Sequence, residues 1–173
     1  MPEQKTEALR ALVVDDDRMV RMIVVQTLSA AGFVIDEGET GAAALQQAQK
    51  LPDVVVIDVN LPDLSGLNVC RALRASGKTA DIGVVFLTGD DDARTIVNAF
   101  AAGADDCLHK PIFGDVLVAR VKRAVGHADS RRALRRTRDA VQLGKPLLDE
   151  LEASAAPATR EAAKKLRALL DRG

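Results

Sequence analysis

Five short apolar runs recur along the first two-thirds of the chain: ALVV (11–14), FVI (33–35), VVVI (54–57), VVFL (84–87) and CLH (107–109). Val54 to Ile57 is apolar at every position, as expected of a strand covered on both faces. Between the runs the apolar positions take up helical spacing. Val20, Ile23, Val24, Leu28 and Ala31 form one stripe, and Gly32 follows as a stop. Thr40 is placed to cap a second helix that ends before Pro52. Segments 67–75 and 93–102 read as helices, the latter closed by Gly103. Strand and helix alternate five times, which predicts an α/β fold: a parallel sheet with helices on both faces. Ligands of such sheets sit beyond the carboxyl ends of the strands.

The pattern then changes. From about residue 113 one helix is expected, with Leu117, Val121, Ala124 and Ala128 as its apolar stripe. Leu134, Val141 and Leu148 recur every seven residues, although Arg138 and Lys145 fall between them in the seam. Pro146 is expected to end or kink this helix near Gly144. Leu147, Leu148 and Leu151 would give a second short helix. A third follows Pro157, with Ala162, Ala163, Leu166, Leu169 and Leu170 apolar and Arg160, Lys164, Lys165 and Arg167 mostly outward. The expected division is a domain over residues 8–125 and a helical C-terminal extension over 126–173. The last helix has to bury its stripe somewhere. A homodimer through the C-terminal helices is favoured over fold-back onto the first domain and over a linker to a missing effector.

Composition narrows the function classes. Hydrophobic residues make up 47 % of 173, but aromatics only 2 %, all of them Phe. The core must therefore be built from Val, Leu, Ile and Ala, and nucleic-acid modules that stack bases on exposed aromatics are disfavoured. No run approaches the roughly 20 apolar residues that span a bilayer. The opening MPEQKTEALR has no apolar signal core, so a cytoplasmic location is expected. Cys70 and Cys107 have no metal-ligand spacing and read as small core residues. Net charge is −1 but uneven: residues 1–120 hold 11 Lys and Arg against 18 Asp and Glu, residues 121–173 hold 13 against 7. RRALRRTR (131–138) is the densest basic stretch. It raises the alternative of a DNA-binding regulator, but no helix-turn-helix pair with a tight Gly turn accompanies it. A solvated helix face is the simpler expectation.

The chemistry gathers where the strands end. Asp15, Asp16 and Asp17 follow the first run; Asp58 and Asn60 follow the third. Thr88, Gly89 and Asp90 follow the fourth, and Lys110 the fifth. Carboxylates brought to one edge repel unless a cation lies among them. Oxygen-only ligands suit a hard ion, and Mg²⁺ accepts a few carboxylates, waters and a phosphate oxygen. A nucleophilic carboxylate, a metal, a hydroxyl and an ammonium form a phosphoryl-transfer set. Singly, each residue has a plainer reading: Asp17 and Thr88 as caps or turn residues, Lys110 as a solvated loop lysine. The weight lies in four strand ends agreeing.

Residues 10–125 resemble the receiver domain of two-component response regulators, through VVDDD (13–17), VVIDVNLPDLSG (55–66), FLTGDD (86–91) and GADDCLHKP (103–111). The resemblance implies a flavodoxin-like five-stranded sheet in the order 2-1-3-4-5. It also implies Mg²⁺-dependent transfer of a phosphoryl group onto Asp58 from a sensor histidine kinase or phosphotransfer protein. The shape change that follows would control a partner or the protein's own assembly. The chain would be a phosphoacceptor and not a turnover enzyme. Asp16 and Asp58 would ligate Mg²⁺ directly, Asp15 mostly through water, and Asn60 by its backbone carbonyl. Lys110 would bridge to the phosphorylated carboxylate, and Thr88 would turn to bond a phosphoryl oxygen. Asn60 and Asp90 would tune self-dephosphorylation.

Two departures stand out. Cys107 occupies the position, three before the lysine, where the family usually has the Tyr or Phe that rotates during switching. Ile112 follows the Lys–Pro pair where Phe is common, leaving Phe113 next, which is expected to anchor in the core. A haloacid-dehalogenase-like phosphohydrolase is the remaining alternative. Its nucleophile would lie after the first strand, its acidic pair would follow the lysine, and Asp58 would be left unexplained.

Overall fold

The computed structural model describes residues 8–89, 93–153 and 156–171, apart from the side chain of Leu170. Asp90 lies outside the described residues. Chain contacts group into two compact units, residues 1–129 and 130–173.

The first unit holds five parallel strands: β1 (Arg10–Val14), β2 (Val34–Gly38), β3 (Val54–Asp58), β4 (Gly83–Thr88) and β5 (Asp106–His109). Their order is β2-β1-β3-β4-β5. Each contains or overlaps an apolar run of the sequence, so the predicted sheet and its order are found. The strands alternate with α1 (Arg18–Ala30), α2 (Gly41–Gln47), α3 (Gly66–Ala75) and α4 (Ala93–Ala101), and α5 (Gly114–Ala153) begins after β5.

Alternate residues of each strand face opposite sides of the sheet. Leu12, Val14, Val55, Ile57, Val84 and Phe86 pack toward α2, α3 and α4. Ala11, Val13, Val54, Val56, Val85 and Leu87 pack toward α1 and α5, against Val24, Leu28, Leu117 and Val121. The two layers account for the almost continuous apolar character of the central strands. Thr40 caps α2 by accepting from the Ala43 amide, and the Asp17 side chain caps α1 through the Met19 and Val20 amides. Gly32 and Gly103 both have φ near +100°, the left-handed region, and follow α1 and α4 as stops. Among the described residues no helix is long and apolar enough to cross a membrane.

Two expectations about the first unit need correction. Ile23 is 48 % exposed, because the inward stripe of α1 runs through Arg21, Val24 and Leu28. One residue off that line turns the side chain by about 100°. Phe113 is 71 % exposed. Ile112 takes the inward position instead, packed against the α1–α5 layer.

The second unit comprises the end of α5 and α6 (Pro157–Leu170). Pro146 neither ends the helix nor separates Leu147, Leu148 and Leu151 into another; α5 runs on to Ala153. A proline forfeits one helical hydrogen bond, but the residues beyond it are held in other ways. Leu148 and Ala163 are buried, and the Arg167 guanidinium pairs with both Asp149 and Glu152. Arg167 therefore does not simply point outward. Of the three leucine and valine positions spaced by seven, Leu134 is 73 % exposed and only Leu148 is buried. Leu166 and Leu169 are exposed as well.

Candidate functional site

β1 ends at Val14 and β3 at Asp58, two neighbouring central strands, so the residues that follow them emerge side by side. Ligand atoms of Asp15, Asp16 and Asp58 all lie within 4.8 Å of one another. Asp15 is wholly buried and Asp58 nearly so, whereas Asp16 is exposed. β5 brings Lys110 to the same edge: its Nζ donates to Asp15 Oδ2 at 2.8 Å and also pairs with Asp58 Oδ2.

Backbone amides fix the carboxylates further. Asp17 N donates to Asp15 Oδ1 at 2.9 Å, and Asn60 N donates to Asp58 Oδ1 at 2.7 Å. Thr88 is buried at the end of β4, and its carbonyl accepts from the Lys110 amide at 2.7 Å. Asp15, Asp16, Asp58, Asn60, Thr88 and Lys110 are thus gathered at one sheet edge. Cys107 is not among them. It is half-buried, in register with Phe86, and packs against the α2–α4 layer.

The electrostatics follow from burial. Desolvation raises the Asp15 pKa above its ordinary value, outweighing the opposing Lys110 and Asp17 hydrogen bonds. Burial would lower the Lys110 pKa, but its two carboxylate partners together hold the ammonium above its usual value. Three carboxylates served by one ammonium leave the cluster short of positive charge. A hard divalent cation with oxygen ligands fits this donor set.

Three residues that pattern reading missed shape the site. Arg21 donates Nη1 to the Asp15 carbonyl at 2.6 Å. Its signal was a charge on an otherwise apolar helix stripe. Asp63, in the loop after β3, accepts from the Gly41 and Ala42 amides at 2.7 and 2.9 Å and holds the start of α2. Those amide bonds keep its carboxyl below the ordinary range. Nothing local marks it, because its partners are 22 and 21 residues away. Gly66 opens α3 so close to β3 that a Cβ there would lie 2.1 Å from the Asp58 carbonyl oxygen.

Comparison with known proteins agrees with this geometry. The family described as "Response regulator receiver domain" matches residues 11–122. Response regulator MprA of Mycobacterium sp. (strain KMS) is 40 % identical over 154 residues, covering 88 % of this chain and 62 % of that protein. The chain thus spans less than two-thirds of that relative's length. A crystal structure of a putative response regulator from Chloroflexus aurantiacus J-10-fl matches with a TM-score of 0.67 at 35 % identity, over 69 % of this chain and 99 % of that one. The BeF3-activated DrrB receiver domain matches with a TM-score of 0.63 at 34 % identity, over 69 % and 99 %. With a matching profile over most of its length and the same sheet order, this chain belongs to the response regulator receiver family of two-component systems.

Proposed function

We propose that this receiver accepts a phosphoryl group on Asp58 from a sensor histidine kinase or phosphotransfer protein, in a Mg²⁺-dependent reaction. A carboxylate oxygen of Asp58 forms the new bond to phosphorus, while the bond from phosphorus to the donor breaks. The product is an acyl phosphate. The observation that carries this reading is the cluster of Asp15, Asp16 and Asp58 around Lys110. When bound, Mg²⁺ would supply positive charge that offsets the repulsion between the carboxylate and the incoming phosphoryl group. Asp16, exposed and adjacent, and Asp58 would hold it directly, with the Asn60 backbone carbonyl. Asp15, buried and already bonded to Lys110 and the Asp17 amide, would reach it through water.

After transfer Lys110 stays paired with the modified carboxylate, and Thr88 turns its hydroxyl to a phosphoryl oxygen. With Cys107 in place of a ring, switching proceeds by movement of the segment after Thr88 and repacking of α4. It shifts the balance of two existing states. Asn60 and Asp90 tune the lifetime of the acyl phosphate. The chain acts as a phosphoacceptor in the cytoplasm and not as a turnover enzyme. A BeF3-activated form of the similar DrrB receiver supports a phosphoryl-responsive site here.

Incubation with acetyl phosphate and Mg²⁺ is expected to add one phosphoryl group, mapped by mass spectrometry to Asp58 and absent in Asp58→Asn. A label persisting in that variant overturns the assignment.

Exposed Leu134, Leu143, Leu147, Leu166 and Leu169 support a homodimer through the C-terminal helices. Sedimentation is expected to give a dimer for the full chain and a monomer for a truncation ending near Val125. A monomeric full chain, with and without phosphorylation, refutes this.

A further inference from the structure

The acid pair of this site is carried by a turn that the sheet no longer supports. The β1–β2 ladder ends where Val14 pairs with Gly38, and the last bond across it runs from Asp15 N to Gly38 O, at 3.2 Å. Beyond that point the peptide joining Asp15 to Asp16 has left the sheet. Its carbonyl, on the wholly buried Asp15, is taken by Arg21 Nη1 at 2.6 Å.

Arg21 is itself an anomaly. It occupies the buried stripe of α1 between the cap Asp17 and Val24, where an apolar side chain would pack without desolvating a charge. Its side chain is only 9 % exposed, and each of its three nitrogens is bonded. Nε reaches Glu37 at 3.2 Å and Nη2 reaches Glu39 at 2.6 Å. Those two carboxylates are largely solvent-exposed, so their pairs with Arg21 are screened and contribute little to stability. The bond to the buried carbonyl is different, because a charged donor there satisfies an acceptor shielded from water. The planar fork suits this arrangement: two corners rest on the β2 side and the third fixes the turn bearing Asp15 and Asp16.

We propose that Arg21 is a positioning residue for the divalent-cation site: by holding the Asp15–Asp16 peptide it sets the Mg²⁺ affinity, and through it the Mg²⁺ concentration at which Asp58 is phosphorylated. This rests on the receiver chemistry proposed above, but its primary test needs no phosphorylation. Arg21→Met keeps a long side chain of similar helix propensity on the buried stripe and removes the donor. Mg²⁺ binding, measured by calorimetry and by the amide shifts of residues 15–17, is expected to weaken about tenfold, the scale seen when a group supporting a metal ligand is removed. Arg21→Lys, which can reach one acceptor but cannot fork, is expected to lose less affinity than Arg21→Met.

Labelling by acetyl phosphate should then show a split. The Mg²⁺ concentration for half-maximal rate rises, while the rate at saturating Mg²⁺ equals that of the wild type. A side chain that merely stabilised the fold would move melting temperature and leave this split absent. Unchanged Mg²⁺ affinity in a folded Arg21→Met protein overturns the proposal. Should that variant not fold, unchanged affinity in Arg21→Lys does the same. Wild-type protein that binds Mg²⁺ but takes no label at Asp58 would overturn the phosphoacceptor reading alone.

Discussion

Replacing Lys110 by methionine is expected to destabilise the protein by about 3 kcal/mol at neutral pH, the scale for removing one partner from a buried ion pair. Lys110 is the ammonium shared by Asp15 and Asp58, which are buried and within one hydrogen bond of it. Without it the two carboxylates face each other and Asp16 with no counter-charge. The sign with pH follows from the folded pKa of Lys110, which lies above its ordinary 10.5. The lysine's contribution is fully present below that ordinary value and is lost as pH rises through the folded one. At the acid end the difference between variant and wild type should also narrow, because neutral carboxyls need no counter-ion. Asp15, whose pKa is raised, is expected to become neutral early in that descent. Urea unfolding of both proteins at several pH values checks this. Mg²⁺ is expected to restore part of the loss at neutral pH, since a ligand bound only by the folded state stabilises it. A variant as stable as the wild type at pH 7 would refute the account.

Gly66→Ala is expected to be comparably severe, for a steric reason. The added methyl would sit 2.1 Å from the Asp58 carbonyl oxygen and 3.1 Å from the Phe86 ring. Neither neighbour can withdraw: one is the backbone of the central strand, the other a wholly buried side chain. Overpacking of this kind costs about 3 kcal/mol when backbone must move, or roughly 10 °C in melting temperature for a domain of this size. Because the atom displaced belongs to Asp58 itself, labelling by acetyl phosphate should slow even below the melting point. An unchanged melting temperature would show that α3 has room to retreat.

The contrast between these two residues shows what pattern reading can reach. Lys110 was legible because parallel strands deliver their following residues to one edge. An acid after β1, an acid after β3 and a lysine after β5 then meet whatever lies between them. The sheet was legible for a related reason, since β3 and β4 are apolar on both faces and hardly anything but a buried strand reads that way. Gly66 was quoted only as the end of a motif, and its closeness to Asp58 depends on how α3 is set down. Arg21 and Asp63 bond across loops, where no periodicity links the partners. Phe113 misled because two adjacent apolar residues competed for one inward place and Ile112 took it. Pro146 misled because a single lost backbone bond was weighed without Arg167 and Leu148 on the far side.

The pins at this edge join one strand end to the next, and that has a mechanical consequence. Around β1 and β3 the rim is clamped: Arg21 grips the first turn, Asp63 ties the loop after Asp58 to α2, and Gly66 N returns to Val59 O at 2.9 Å. The bond from Lys110 N to Thr88 O joins the ends of β4 and β5, and the Lys110 side chain ties them back to Asp15 and Asp58. A change of charge at Asp58 would therefore be felt on both flanks, through Val59 N to Leu87 O at 3.0 Å toward β4 and through Lys110 toward the end of β5. The rim works as a braced arch: Lys110 is the strut that reaches from the end of β5 to the acids of both β1 and β3, so whatever engages Asp58 loads that strut.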